Sequence, residues 1–169
     1  MEIAAISGNL DVFIRLLVAV ALGALIGIER SMAHKTAGMR TFSLISMGTA
    51  ALIILSEVVI RKYLGSSGAD PLRMAAAVVQ GIGFLGAGIY VFSNHHMTGI
   101  TTAAGLWVAA AIGIACGFGL YGIALILTFI TLFVFSVLWL LEEKVVEIAD
   151  ENKLYAINES EHIHSKKIK

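Results

Sequence analysis

Glu29 and Arg30 are the first residues whose types and placing suggest chemistry. They end an apolar run and open a polar segment that returns at Arg40. A carboxylate there has two readings: it pairs with Arg40 and locks the loop, or it is a cation ligand at the mouth of a membrane body. Successive helical residues point about 100° apart, so Glu29 and Arg30 are expected to find different partners. Asp70 is the second carboxylate of interest. Asp70-Pro71 reads as a helix N-cap followed by proline at the first helical position, which accounts for it structurally. Gln80, Thr101 and Thr102 offer neutral oxygens, and the two threonines also stand where caps are needed, at the start of an apolar run. Arg15 lies inside the same apolar run that Glu29 ends, with Asp11 four residues earlier in pairing position. Glu57, near the end of a further run, is expected to reach the membrane interface.

Gly81, Gly83, Gly86 and Gly88 crowd one short stretch. The first three formally match a GxGxxG dinucleotide fingerprint. That fingerprint needs a strand before it and a helix after it, and here it lies inside an apolar segment. Two readings stay open. Each glycine costs a helix about 1 kcal/mol relative to alanine, so the run interrupts a span and frees carbonyls toward a cavity. Alternatively, it belongs to a continuous helix that packs tightly. His95-His96 and the pair His162 and His164 have no cysteine or carboxylate at zinc spacing and read as solvated. Cys116 has no activating base nearby and reads as an inert thiol in an apolar turn. No HExxH motif, nucleophile elbow or P-loop is present, so the chain is not expected to be an enzyme.

The elements that must position these residues follow from composition. The chain has 169 residues, 58% hydrophobic and 14% charged, with a mean hydropathy of +0.87. An ordinary soluble domain carries roughly 25% charged residues. The expectation is an all-α polytopic bundle in a lipid bilayer. Spans of about 20 apolar residues fall near 12–28, 42–60, 72–92, 100–115 and 120–141. Residues 1–141 are the transmembrane domain, and 142–169 form a short polar cytoplasmic tail with no full soluble domain. The tail continues the fifth helix over 142–151, with a weak strand signal at 154–157.

Glu2 and Asp11 at the N-terminus argue against a secretory signal. A net charge of zero gives no basic footprint for nucleic acid, and one cysteine forms no internal disulfide. Arg30, Lys35, Arg40, Lys144 and Lys153 outweigh Arg61, Lys62 and Arg73, which places the N-terminus outside and the C-terminus in the cytoplasm. Ala19, Gly23 and Gly27, and then Gly105, Ala109, Gly113 and Gly117, recur at four-residue spacing on single helix faces. Such faces admit a second backbone, within the bundle or across a dimer. Cys116 to Gly122 reads as a tight turn between antiparallel helices.

The motifs together resemble those of the MgtC/SapB family of bacterial inner-membrane proteins. The matching stretches are Gly27-Ile28-Glu29-Arg30, Lys35 to Thr41, Asp70-Pro71-Leu72-Arg73, Gly81 to Gly88, Gly99 to Ala104 with Leu106-Trp107, and Ala110 to Gly113. They occur in the family's order over about residues 12–142. The resemblance implies five membrane helices, a cytoplasmic C-terminus and a link to magnesium homeostasis. Some members resemble Mg²⁺ transporters. Others resemble regulators that bind a membrane partner, including ATP synthase.

For transport, Glu29 and then Asp70 are the expected metal carboxylates, with Gln80, Thr101 and Thr102 as neutral ligands. Mg²⁺ itself is then cargo or ligand, and no other cofactor is implied. Glu29, Arg30, Lys35, Arg40 and Arg73 are the charged residues of the family motifs. A body this small is expected to work as a homo-oligomer or with another membrane protein. Three positions depart from the family pattern: Gln80 where serine is common, Phe42 where histidine is, and Thr98 where arginine is. The 28-residue tail is also too short for the ACT-type domain that well-studied members carry.

Overall fold

The computed structural model describes residues 2–64, 70, 72–91, 99–142, 144–145 and 148–149. Among these residues, five helices are long and apolar enough to cross a membrane: Asn9–Met32, Met39–Lys62, Leu72–Ile89, Ile100–Gly117 and Tyr121–Glu142. The protein is an all-α polytopic bundle. Helix α1 covers Glu2–Met32 and α2 covers Met39–Val59, which runs on into a π-helical turn at Ile60–Leu64. Helix α3 is Leu72–Val91, α4 is Ile100–Gly117 and α5 is Tyr121–Phe133. The chain forms two compact units, Met1–Leu132 and Phe133–Lys169. In the second, a π-helical turn at Val134–Leu138 leads into further helix up to Glu142. The strand signal at 154–157 and the His95-His96 and His162/His164 pairs lie outside the described residues.

Small residues decide how the first unit is assembled. Gly23 faces the backbone of Phe42 and Ser43, and Gly27 faces Gly38 and Met39, so α1 and α2 run antiparallel. A methyl placed on Gly23 would lie 2.6 Å from the Phe42 carbonyl oxygen. Gly113 sits against Ser46 and Thr49, and Gly117 against Ala50 and Ile53, so α2 and α4 run parallel. Here a Cβ on Gly113 would overlap the Ser46 carbonyl and the Thr49 hydroxyl. In lipid, apolar surface gains little by meeting other apolar surface, so dispersion at close approach holds helices together. Both four-residue stripes therefore serve packing inside the copy. The Thr49 hydroxyl adds a polar stitch, lying 3.0 Å from the Ser46 carbonyl and 3.2 Å from that of Ala110 on α4.

Helix α3 joins the bundle differently. Val78 and Ile82 pack against Ala110, with Ile45 and Ile114 partly buried beside them. Ile89 approaches Gly99 and Gly86 approaches Ala103, so α3 runs antiparallel to α4. The glycine run does not break this helix: α3 is continuous through Gly81, Gly83, Gly86 and Gly88. Its span is only 11% buried, against 56% for that of α4. An apolar groove of about 580 Å³ opens between α2 and α3, lined by Leu44, Gly48, Leu52, Ala77, Gly81 and Leu85 among others.

The turn after α4 holds Gly119 at φ 73, a left-handed value at which a side chain is strained. It lies where a tight turn was expected. Cys116, expected in that turn, is instead buried in the last turn of α4.

Replacing Gly113 by alanine should lower stability by about 1–3 kcal/mol, the usual cost of overpacking. Gly88→Ala fills open space on α3 and should be neutral or stabilising by up to about 1 kcal/mol. Thermal unfolding of both variants in one detergent checks the contrast.

Candidate functional site

The charged residues of the first unit gather at its two ends. One end holds the close of α1, the start of α2 and the start of α4. Glu29 and Arg30 meet there directly. Arg30 Nη2 donates to Glu29 Oε1 at 2.5 Å, and Arg30 Nε donates to Glu29 Oε2. This corrects the expectation of separate partners. The backbone directions diverge, but both side chains are long enough to converge, and the guanidinium fork matches a carboxylate in two bonds. Arg30 is only 3% exposed, so its charge is compensated where water is scarce. Glu29 does not pair with Arg40, which is exposed. Lys35 is exposed as well.

The connection from α1 to α2 is held by its own backbone. Lys35 N–H donates to the Arg30 carbonyl at 2.9 Å, and Met39 N–H to Ser31 Oγ at 3.2 Å. At the same end, α4 begins on Gly99, at φ 106, whose carbonyl accepts from Ala103 N–H at 2.8 Å. Neither threonine is the cap: Thr101 lies exposed and Thr102 is buried inside the first turn.

Asp70 lies at the opposite end. Its carboxylate accepts from Leu72 N–H at 2.9 Å, the N-cap contact that its sequence context suggests. Arg73 is exposed in the first turn of α3. A 20-residue helix is about 30 Å long, so Glu29 and Asp70 do not meet on one ion. Gln80 stands between these levels, exposed near the middle of α3. Thus Glu29, Thr101 and Thr102 share one end, Asp70 the other, and Gln80 neither. Among the described residues, no group of three or more His, Cys, Asp or Glu side chains could hold a metal.

A second charged cluster forms at the Asp70 end, more connected than sequence reasoning indicated. Arg15 Nη1 donates to Glu57 Oε2 at 3.0 Å and to the Gly117 carbonyl at 2.8 Å. Arg15 Nη2 lies 2.8 Å from Asp11, the expected pair. Glu57 also accepts from Arg61 Nη2 at 2.5 Å. One guanidinium thus ties α1 to α2 and caps an end carbonyl of α4, which has no partner within its helix. The cation also sits at the negative end of that helix dipole. Glu57 is part of a network with Arg15 and Arg61. Equal depth was the missed signal: Arg15 and Glu57 each lie about a turn inside the same end of neighbouring antiparallel spans.

Fold and site thus define a polytopic membrane protein with a glycine-packed body and a charged cluster at each end. The family model described as "MgtC family" matches residues 16–144, and the chain belongs to that family. It is 45% identical over 124 residues to the candidate magnesium transporter YhiD of Escherichia coli (strain K12), covering 72% of this chain and 57% of YhiD. It is 44% identical over 107 residues to protein MgtC of Brucella abortus (strain 2308), covering 63% of this chain and 42% of that one. It is 43% identical over 119 residues to protein MgtC of Salmonella typhimurium (strain 14028s / SGSC 2262), covering 70% and 48%. The chain thus spans about half the length of the curated relatives it matches. No solved structure matches it. The protein is a multi-pass bacterial membrane protein.

Arg15→Leu should destabilise the body by about 1–3 kcal/mol, because it removes one of the two guanidinium partners of Glu57 and leaves the Gly117 carbonyl unpaired. The double variant Arg15→Leu/Glu57→Leu should recover part of that loss. Unfolding midpoints of the two single variants and the double variant form the cycle that measures it.

Proposed function

We propose that this chain serves bacterial magnesium homeostasis from the inner membrane, and that it does so by binding another membrane protein. The magnesium link is supported by the family and by the name of the relative YhiD. The binding mode is supported chiefly by the state of Glu29, whose two carboxylate oxygens are both taken by Arg30. A cation ligated there must sit beside an already paired guanidinium that repels it. The other carboxylate, Asp70, stands at the far end and is engaged as a cap. Mg²⁺ favours octahedral oxygen coordination and is usually held through one or two carboxylates with several waters. A single copy offers little of that arrangement. We assign the end bearing Arg30, Lys35 and Arg40 to the cytoplasm, because loops rich in Lys and Arg stay inside.

Transport is the second reading, and the 45% identity to a candidate magnesium transporter favours it. In that reading Glu29 meets the ion beside Arg30, with Thr101 and Thr102 at the same end of the bundle as neutral oxygens.

Mg²⁺ entry into vesicles containing the purified full chain decides between them. The expected result is entry no greater than into empty vesicles, together with in-membrane crosslinking from the Arg40 end to a defined partner. ATP synthase is the first to try, since the family resemblance supplies it. Entry above empty vesicles that disappears in Glu29→Gln transfers the reading to transport.

A further inference from the structure

We infer that the groove between α2 and α3 binds one anionic phospholipid, with an acyl chain along the groove and the phosphate on Arg73. The groove holds about 580 Å³, and its two walls come from residues 44–52 of α2 and 74–85 of α3. Gly48 stands on one wall and Gly81 on the other. Nothing lies within 4 Å of where a side chain would begin on either. Their small size therefore deepens the groove and brings no two helices together. Gly113 differs, since its missing side chain admits α2.

The lining selects the chemistry of the occupant. Among the described lining residues, only Thr49 has a polar side chain, and its hydroxyl lies against the Ser46 and Ala110 carbonyls. An extended peptide or a polar solute would leave its own polar groups unpaired there, whereas hydrocarbon has none to pair. Length points the same way. From Met74 to Leu85 the α3 wall rises about 16 Å, roughly half the 30 Å hydrocarbon core. That is the depth of one leaflet and suits a lipid chain. A crossing helix would need the full thickness.

The end of the groove carries the charge that a phospholipid headgroup needs. Arg73 precedes Met74 and stands one turn from Ala77, both of which line the groove. It is exposed, and its side chain makes no bond or ion pair with a described residue. Lys62, exposed on the turn that continues α2, adds positive charge at the same end of the bundle. The neighbouring carboxylates are engaged: Asp70 accepts from Leu72 N–H, and Glu57 from Arg15 and Arg61. A guanidinium gives a phosphate two parallel bonds. Basic residues beside a groove between spans are how membrane proteins select anionic headgroups. The chain itself supplies little preference, because it leaves one apolar surrounding for another. Selectivity therefore rests on Arg73.

The test uses the full chain in phosphatidylcholine vesicles with a trace of phosphatidylglycerol that carries a photoactivatable diazirine midway along one chain. No magnesium is involved, so failure here leaves the functional reading untouched. Irradiation is expected to label the groove walls above the exposed Leu125, Ile126 and Phe129 of α5, which report ordinary lipid contact. Unlabelled phosphatidylglycerol should compete the groove label away. The same diazirine on a phosphatidylcholine headgroup should label the groove about fivefold less. Arg73→Gln should lower the phosphatidylglycerol label there by a similar factor and leave α5 unchanged. Gly48→Leu and Gly81→Leu place side chains in open space, so each should fold and lose the groove label. Circular dichroism checks folding. Equal label on groove and α5 is ordinary lipid contact and overturns the inference. So does groove label that is indifferent to both headgroup and Arg73→Gln, or a groove without label, which means that protein covers it.

Discussion

Backbone-to-backbone contact at glycine is the constraint on which the first unit depends. Gly23 and Gly27 bring α1 onto the start of α2, and Gly113 and Gly117 bring α4 onto its length. Lipid supplies no strong hydrophobic force between helices, so only this closeness provides enough dispersion contact. It also fixes the chemistry of the interior. Where α2 and α4 touch at Ser46, Thr49 and Gly113, the Thr49 hydroxyl is occupied with neighbouring carbonyls. The Thr49 hydroxyl is thus a fastener between two helices inside the bundle.

The charged clusters then fall where this packing places the helix ends. Arg15 and Glu57 share a level because α1 and α2 are antiparallel, and Gly117 joins them because α4 is parallel to α2. At the other end, Arg30 is nearly enclosed and takes the adjacent carboxylate. A guanidinium is always charged and presents five donors, so burying one requires acceptors close by. In both clusters arginine engages the nearest carboxylates, which lowers their availability to any other cation. Glu29 is thus held by the basic residue beside it in the chain.

Much of this was legible in the sequence, for physical reasons that differ by element. The five spans were clear because the lengths of apolar runs are set by bilayer thickness. The faces of α1 and α4 were clear because four-residue spacing maps directly onto one side of a helix. The cap at Asp70 and the pair Asp11–Arg15 were clear because each is a local interaction. Contacts that depend on side-chain reach were not. The angle between neighbouring Cα–Cβ bonds argued against a Glu29–Arg30 pair, and the flexible stem of arginine overrode it. Glu29 and Asp70 were grouped by chemical type. Alternating crossings already put them on opposite sides, since one ends the first span and the other opens the third. The glycines of α3 left a broken and an intact helix equally open. Local propensity alone did not decide, and the structure has the intact one.

Helix α3 shows how far the packing rule extends. It carries four glycines, yet the first unit uses few of them. Gly86 meets Ala103, whereas Gly81, Gly83 and Gly88 face open space. In the same chain, α1 and α4 place their glycines under neighbouring backbones. Glycine in a helix interior is unfavourable by itself, so a run of them with no contact inside the copy needs a reason outside it. The groove between α2 and α3 leads to the same place, because α3 is fastened along the side bearing Val78 and Ile82. Its span is the least buried of the five, so most of the surface of α3 is left for contacts beyond the bundle.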